Sequence, residues 1–263
     1  MSTQNVQVEP LPAIVKGTGP GLLLTHGAGG SPEENFPFID TLARRYTVVA
    51  PYYPGTGPAP RAQDQLSLDD LADRAVASAT QAGLSSFAIL GYSLGTAVAI
   101  RAATRHPDQV KALVLTAGLA YPRPSLRSAA AVWRDLLTAD PRTLAHFLAF
   151  VGYSDATLAA LKPAEYERLI QVIADTPVSP GTPDQVDLVF RVDVRADLAR
   201  IAVPTLVVVT TADTLVTPAH SADLISGIRG ARSVEIDAGH LIAVERPQQW
   251  RRAVEEFLAS VLT

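Results

Sequence analysis

Three side chains in this sequence have the types needed for acyl transfer. Ser93 lies in Gly91-Tyr92-Ser93-Leu94-Gly95, between the apolar run 87–90 and the alanine-rich stretch 96–103. A serine hydroxyl is a weak nucleophile that needs an adjacent base, an exposed setting and donors for the oxyanion. A sharp strand-to-helix turn would expose it, and glycines two positions to either side let the backbone fold back on itself. The helix that follows would offer Leu94 N–H to the oxyanion, reinforced by the helix dipole. Asp213 follows the apolar run 206–209, and His240 follows 233–236 in Asp237-Ala238-Gly239-His240. A histidine beside the serine would take its proton and return it to the leaving group. The aspartate would orient the imidazole and stabilise its charged form.

These residues need a scaffold that brings distant loops together. Residues 22–25, 46–50, 87–90, 110–116, 204–209 and 233–236 read as strands, each short, apolar and bounded by turn residues. Residues 6–8 and 14–16 are weaker candidates, separated by Pro10 and Pro12. Ser31-Pro32-Glu33-Glu34 has the composition of a helix start, and the helix is expected to continue through 36–44. Ser67 caps a second helix over 68–82. Strand and helix alternate from 22 to 116, which predicts an α/β fold, a mostly parallel doubly wound sheet with helices on both faces. The alternation then stops. Helices are expected over 125–138, 141–151, 155–161, 163–174 and 183–190, with no strands. Alternation resumes with helices over 218–226 and 247–262. Residues 1–120 and 201–263 therefore read as one core, and 121–200 as a helical cap inserted after the sixth core strand.

Ser93, Asp213 and His240 each follow the carboxyl end of an expected parallel strand, the edge where open α/β sheets form their sites. Their order along the chain suits the hydrolase version of a catalytic triad. Trp133, His146, Phe147, Phe150 and Tyr153 are the candidates in the cap for a substrate pocket, although cap aromatics more often form the cap's own core and His146 suits a plain helix surface. His26 reads as a brace for the loop 26–30.

Four separated motifs, His26-Gly27-Ala28-Gly29, Gly91-Tyr92-Ser93-Leu94-Gly95, Asp213 and Gly239-His240, make the chain resemble the α/β-hydrolase fold family in its serine-hydrolase branch with a helical cap. The resemblance extends from residue 22 to 262. It implies that Ala28 N–H is the second oxyanion donor. It also implies an acyl-enzyme on Ser93, formed from a small, largely apolar ester, thioester or lactone and released by water, without metal or organic cofactor. Serine at the nucleophile position is unlike the haloalkane dehalogenases and epoxide hydrolases of this fold, which use a carboxylate. Carbon–carbon bond hydrolases, cyclising or acyl-transferring tailoring enzymes and ligand receptors with little turnover share the constellation, so these alternatives stay open. Arg123, Arg127, Arg191 and Arg195 would be available to bind a substrate carboxylate. Three positions depart from the family pattern. Tyr52 stands where aspartate is common, and Thr96 and Thr210 stand where glycine is common.

Bulk composition narrows the partners. The 263 residues contain no cysteine and carry a formal net charge of −4. That removes disulfides, thiolate catalysis and cysteine-based zinc sites, and nothing favours nucleic acid or an anionic membrane surface. No run approaches the ~18 apolar residues of a membrane span, and the first ten residues have no signal-peptide pattern. The expectation is a cytoplasmic monomer or homodimer acting on a small molecule.

Overall fold

The computed structural model describes residues 8–262. In chain order the elements are β1 (Ala13–Lys16), β2 (Gly21–Thr25), α1 (Pro32–Asn35), α2 (Ile39–Leu42), β3 (Thr47–Pro51), α3 (Leu68–Gln81), β4 (Phe87–Tyr92), α4 (Leu94–Arg105) and β5 (Val110–Thr116). Six helices follow: α5 (Pro124–Leu136), α6 (Pro141–Gly152), α7 (Asp155–Ala159), α8 (Pro163–Asp175), α9 (Thr182–Arg191) and α10 (Arg195–Leu198). The chain then closes with β6 (Thr205–Thr210), α11 (Pro218–Gly227), β7 (Arg232–Ile236), α12 (Ile242–Glu245) and α13 (Pro247–Val261).

The strands form one seven-stranded sheet in the order β1-β3-β2-β4-β5-β6-β7. β1 pairs antiparallel with β3, and every other pairing is parallel. The central strands are buried on both faces, so they read as continuous apolar runs. Their side chains still alternate between two cores. Leu23, Ile89 and Leu113 join α3 and α4 on one face, whereas Leu22, Leu90 and Val114 join α13 and its buried Trp250 on the other. This is a doubly wound α/β architecture with one antiparallel edge strand.

Two local expectations are corrected. The helix starting at Pro32 ends at Asn35 and a separate short helix begins at Ile39. Pro37 lies between them; it has no N–H to donate and disfavours helical backbone at the residue before it. The helical segment follows the fifth of the described strands, not the sixth. The count of six included residues 6–8, of which 6 and 7 lie outside the described residues and Val8 belongs to no strand. Among the described residues no helix is long and apolar enough to cross a membrane.

Candidate active site

The turn at Ser93 is strained and tightly enclosed. β4 ends at Tyr92 and α4 begins at Leu94, and Ser93 between them has φ 53° and ψ −123°. L-residues avoid that region, so the surrounding packing must hold it. A side chain at Gly95 would overlap the Thr25 carbonyl oxygen, and a Cβ at Gly91 would lie 2.7 Å from the Gly95 oxygen. Both glycines are therefore required by close backbone approach. Thr96 makes use of its departure from the pattern. Its hydroxyl donates to the Ser93 carbonyl at 2.7 Å and accepts the Leu119 N–H at 3.2 Å, tying the turn to the chain beyond β5.

Ser93 Oγ lies 3.0 Å from His240 Nε2, and His240 Nδ1 lies 2.7 Å from Asp213 Oδ2. A carboxylate can only accept at that contact, so Nδ1 carries the proton and Nε2 is left to accept from the serine hydroxyl. Asp213 is buried and fully satisfied. Oδ1 accepts the Leu215 and Val216 N–H groups, each at 2.9 Å, and Oδ2 also accepts the Thr210 hydroxyl at 3.0 Å. Thr210, the second departure, thus helps to hold the acid. Tyr92 donates its hydroxyl to the His240 carbonyl at 2.6 Å. Burial, together with the Asp213 charge, pushes the Tyr92 phenol well above its ordinary range, so it stays a neutral donor.

The glycine loop after β2 has its amides spoken for on either side of one position. Gly27 N–H donates to Asn35 Oδ1 at 2.7 Å, Gly29 N–H to Gln185 Oε1 at 2.9 Å, and Gly30 N–H to the Gly27 carbonyl at 3.4 Å. Ala28 N–H has no acceptor among the described residues, and neither does Leu94 N–H at the first position of α4. Both residues line the same cavity as Ser93. His26 braces this loop from below. It is fully buried, its Nε2 accepts the Tyr53 N–H at 3.1 Å, its Nδ1 lies 2.8 Å from the Gly27 carbonyl, and its ring stacks on Tyr53. Burial lowers its pKa to about 4, which keeps it neutral.

The cavity holds about 310 Å³ and is walled mainly by apolar side chains. Trp133 and Tyr153 line it as expected, but His146, Phe147 and Phe150 do not. α6 presents Leu148, Val151 and Gly152 to the cavity. His146 and Phe150 are each two residues from Leu148, about 200° around the helix. They are exposed, and His146 pairs with the Tyr166 hydroxyl at 3.0 Å. Phe147 packs against the main core instead. Leu119, Leu126, Leu215 and Leu241 line the cavity without having been singled out from sequence, because an ordinary leucine carries no local mark of facing a site.

Among the described residues Glu34 is the only Lys, Arg, Asp or Glu lining the cavity. The four arginines available for a carboxylate are engaged elsewhere: Arg123 with Asp223, Arg127 with the Phe190 carbonyl, Arg191 with Asp187 and Arg195 with Asp193. Among the described residues no cluster of three or more His, Asp or Glu side chains is arranged to hold a metal ion.

Comparison with known proteins shows the family. Residues 20–247 match the family described as the alpha/beta hydrolase fold. The chain belongs to the α/β-hydrolase fold family. Among family relatives it is 31% identical, over 94% of its length and 93% of the other, to the pyrrolizixenacetamide deacetylase of Xenorhabdus hominickii. It is 29% identical, over 91% of its length and 77% of the other, to a pimeloyl-(acyl-carrier protein) methyl ester esterase of Neisseria meningitidis. A solved hydrolase structure from Pseudomonas aeruginosa superposes with a TM-score of 0.79 at 27% identity, covering 94% of this chain and 93% of that one.

Proposed function

We propose that this protein is a serine hydrolase that cleaves small, uncharged, largely apolar esters, thioesters or lactones through an acyl-enzyme on Ser93. The hydrogen-bonded series Ser93, His240, Asp213, opening onto an apolar cavity, carries the reading. In the first half-reaction Ser93 Oγ bonds to the substrate carbonyl carbon while its proton passes to His240 Nε2. The carbonyl oxygen, now negative, is held by the Ala28 and Leu94 N–H groups. His240 then gives its proton to the leaving alcohol or thiol as the carbon–heteroatom bond breaks. Water repeats the sequence on the acyl-enzyme and releases the acid. Asp213 keeps Nδ1 protonated and balances the imidazolium. Residues 121–200 act as the cap that walls the cavity.

Two features support the substrate class. Burying a substrate carboxylate without a cationic partner is costly, and the cavity provides Glu34 but no Lys or Arg. This weighs against the carbon–carbon hydrolase reading. Relatives named as a deacetylase and a methyl ester esterase support removal of small acyl or alkoxy groups. The test is turnover of p-nitrophenyl esters of graded acyl length by the purified protein beside Ser93→Ala. Multiple turnover lost in the variant supports the proposal. Equal rates from the two proteins, or none from either, would sink it.

A further inference from the structure

The loops that carry Ala28 and His240 are not held by the sheet alone. Each is joined to the helical segment α5–α10 by one buried or half-buried polar side chain.

On the histidine side this residue is Glu245, at the end of α12. Its Oε1 accepts the N–H of Gly239, immediately before His240, at 3.0 Å, and the N–H of Ser154 at 2.9 Å. Its Oε2 accepts the Ser154 and Thr157 hydroxyls, each at 2.6 Å. Ser154 caps α7 and directly follows Tyr153, a wall of the cavity. A backbone contact runs alongside: Leu241 N–H donates to the Gly152 carbonyl at 2.7 Å. Burial pushes the Glu245 carboxyl up, but the hydrogen bonds from Ser154, Thr157 and Gly239 outweigh it, so the group stays ionised. A carboxylate with donors from both sides acts as a crosslink, stronger than neutral hydrogen bonds would make it.

On the other side the residue is Gln185 of α9, which is fully buried. Its Oε1 takes the Gly29 N–H at 2.9 Å, while its Nε2 donates to Thr56 Oγ1 at 3.0 Å and to the Pro54 carbonyl at 3.3 Å. Gly29 adjoins Ala28 and has φ 72°, a conformation that needs an external hold. With Gly27 N–H committed to Asn35, Gln185 fixes the second flank of the amide that is left to face the cavity.

We propose that Glu245 and Gln185 are positioning residues, through which the helical segment holds the His240 loop and the Ala28 loop in their reactive geometry. The proposal rests on the serine-hydrolase reading above. It makes the helical segment part of the catalytic frame, because withdrawing it would release both loops.

The experiment compares the parent with Glu245→Ala, Glu245→Gln and Gln185→Leu in the full chain. Each is checked by circular dichroism and urea unfolding, then assayed for kcat and KM on a p-nitrophenyl ester. Ser93 labelling by a fluorophosphonate and inhibition by a trifluoromethyl ketone are measured alongside. A loosened catalytic loop costs about 10- to 100-fold in rate. Glu245→Ala should lose that in kcat and in labelling rate, with KM within about threefold. Glu245→Gln should recover most of it. A carboxamide oxygen can accept the two N–H groups, and its NH₂ can donate to the two hydroxyls. Gln185→Leu should weaken the trifluoromethyl ketone, whose adduct carries an oxyanion, by about tenfold or more while KM barely moves.

A folded Glu245→Ala or Gln185→Leu with the parent's kcat overturns the proposal. So does a Glu245→Gln as impaired as Glu245→Ala, with both tracking lost stability, since that pattern describes a structural role only. A parent that neither labels at Ser93 nor turns over ester overturns the hydrolase reading beneath it. A parent that labels normally beside an equally reactive Glu245→Ala overturns the positioning role alone.

Discussion

At Ser93 the backbone conformation and the chemistry can be separated by substitution. A φ of 53° with ψ of −123° suits glycine and strains any other residue. Ser93→Ala keeps the strain and Ser93→Gly relieves it. Relief is worth about 1–3 kcal/mol, against about 0.5–1 kcal/mol for the greater freedom of glycine in the unfolded chain. Ser93→Gly should therefore unfold in urea about 1 kcal/mol later than Ser93→Ala, while neither turns over ester. Equal stability would limit the strain to the ~0.5–1 kcal/mol that glycine's freedom in the unfolded chain offsets. Asp213 allows a different separation. Asp213→Asn replaces the acceptor that fixes the His240 tautomer with a group that can donate, and should lower kcat by about 10³–10⁴-fold with a small effect on KM. A loss below tenfold in steady-state assays would remove Asp213 from the mechanism. The residues that depart from the family pattern were visible in the sequence but not their purpose. Thr96 and Thr210 look like substituted glycines there, and only their hydrogen bonds to the Ser93 carbonyl and to Asp213 give them a role.

At the scale of elements, helix positions were legible from their starts. Ser31 and Ser67 accept the backbone N–H groups expected of caps, and prolines open many of the helices. Helix faces were legible in the core, where α3 turns Leu71, Ala75 and Ala79 inward. They were not legible in α6. All of residues 144–151 except His146 are apolar, so once the alanines are counted the apolar positions reach most of the way round the helix and periodicity cannot say which side meets the cavity. The aromatic rings drew attention to Phe147 and Phe150, whereas Leu148 faces the site. Trp133 of α5 was both expected and found there, and it also lines a second apolar cavity of about 380 Å³ between α5, α6 and α8, together with Gly29, Leu148 and Ile173. The indole is therefore a wall common to both spaces. Trp133→Ala should join them and raise kcat/KM for long acyl chains relative to butyryl by about tenfold or more. An unchanged chain-length profile across a p-nitrophenyl ester series would show that the indole is not the barrier.

At the scale of the whole molecule, the sheet order brings loops far apart in sequence to one edge, so that Ser93 and His240 meet across 147 positions. Strand ends have local signals, which is why Ser93, Asp213 and His240 could be placed at one sheet edge from sequence, where their side chains form a hydrogen-bonded series. Crosslinks such as Gln185 to Gly29 have none, because a buried glutamine reads like any polar helix residue. His26 connects this buried framework to the stability of the entire chain. Burial holds its pKa at about 4, against 6.5 for an unburied histidine. Between those values the unfolded chain binds the proton and the folded chain does not, so stability is intact above pH 6.5 and falls as the pH drops toward 4. A difference of that size corresponds to about 3 kcal/mol over the window. His220 is lowered in the same direction by its own burial, so the parent's total loss exceeds the share of His26. His26→Asn isolates that share. The variant should be less stable than the parent at pH 7.5, because it loses the stacking on Tyr53, and should lose about 3 kcal/mol less between pH 7.5 and pH 4 in urea unfolding. Parallel losses in the two proteins would mean that His26 takes up its proton without unfolding, and that the hydrogen bonds at Gly27 and Tyr53 do not depend on its neutral form.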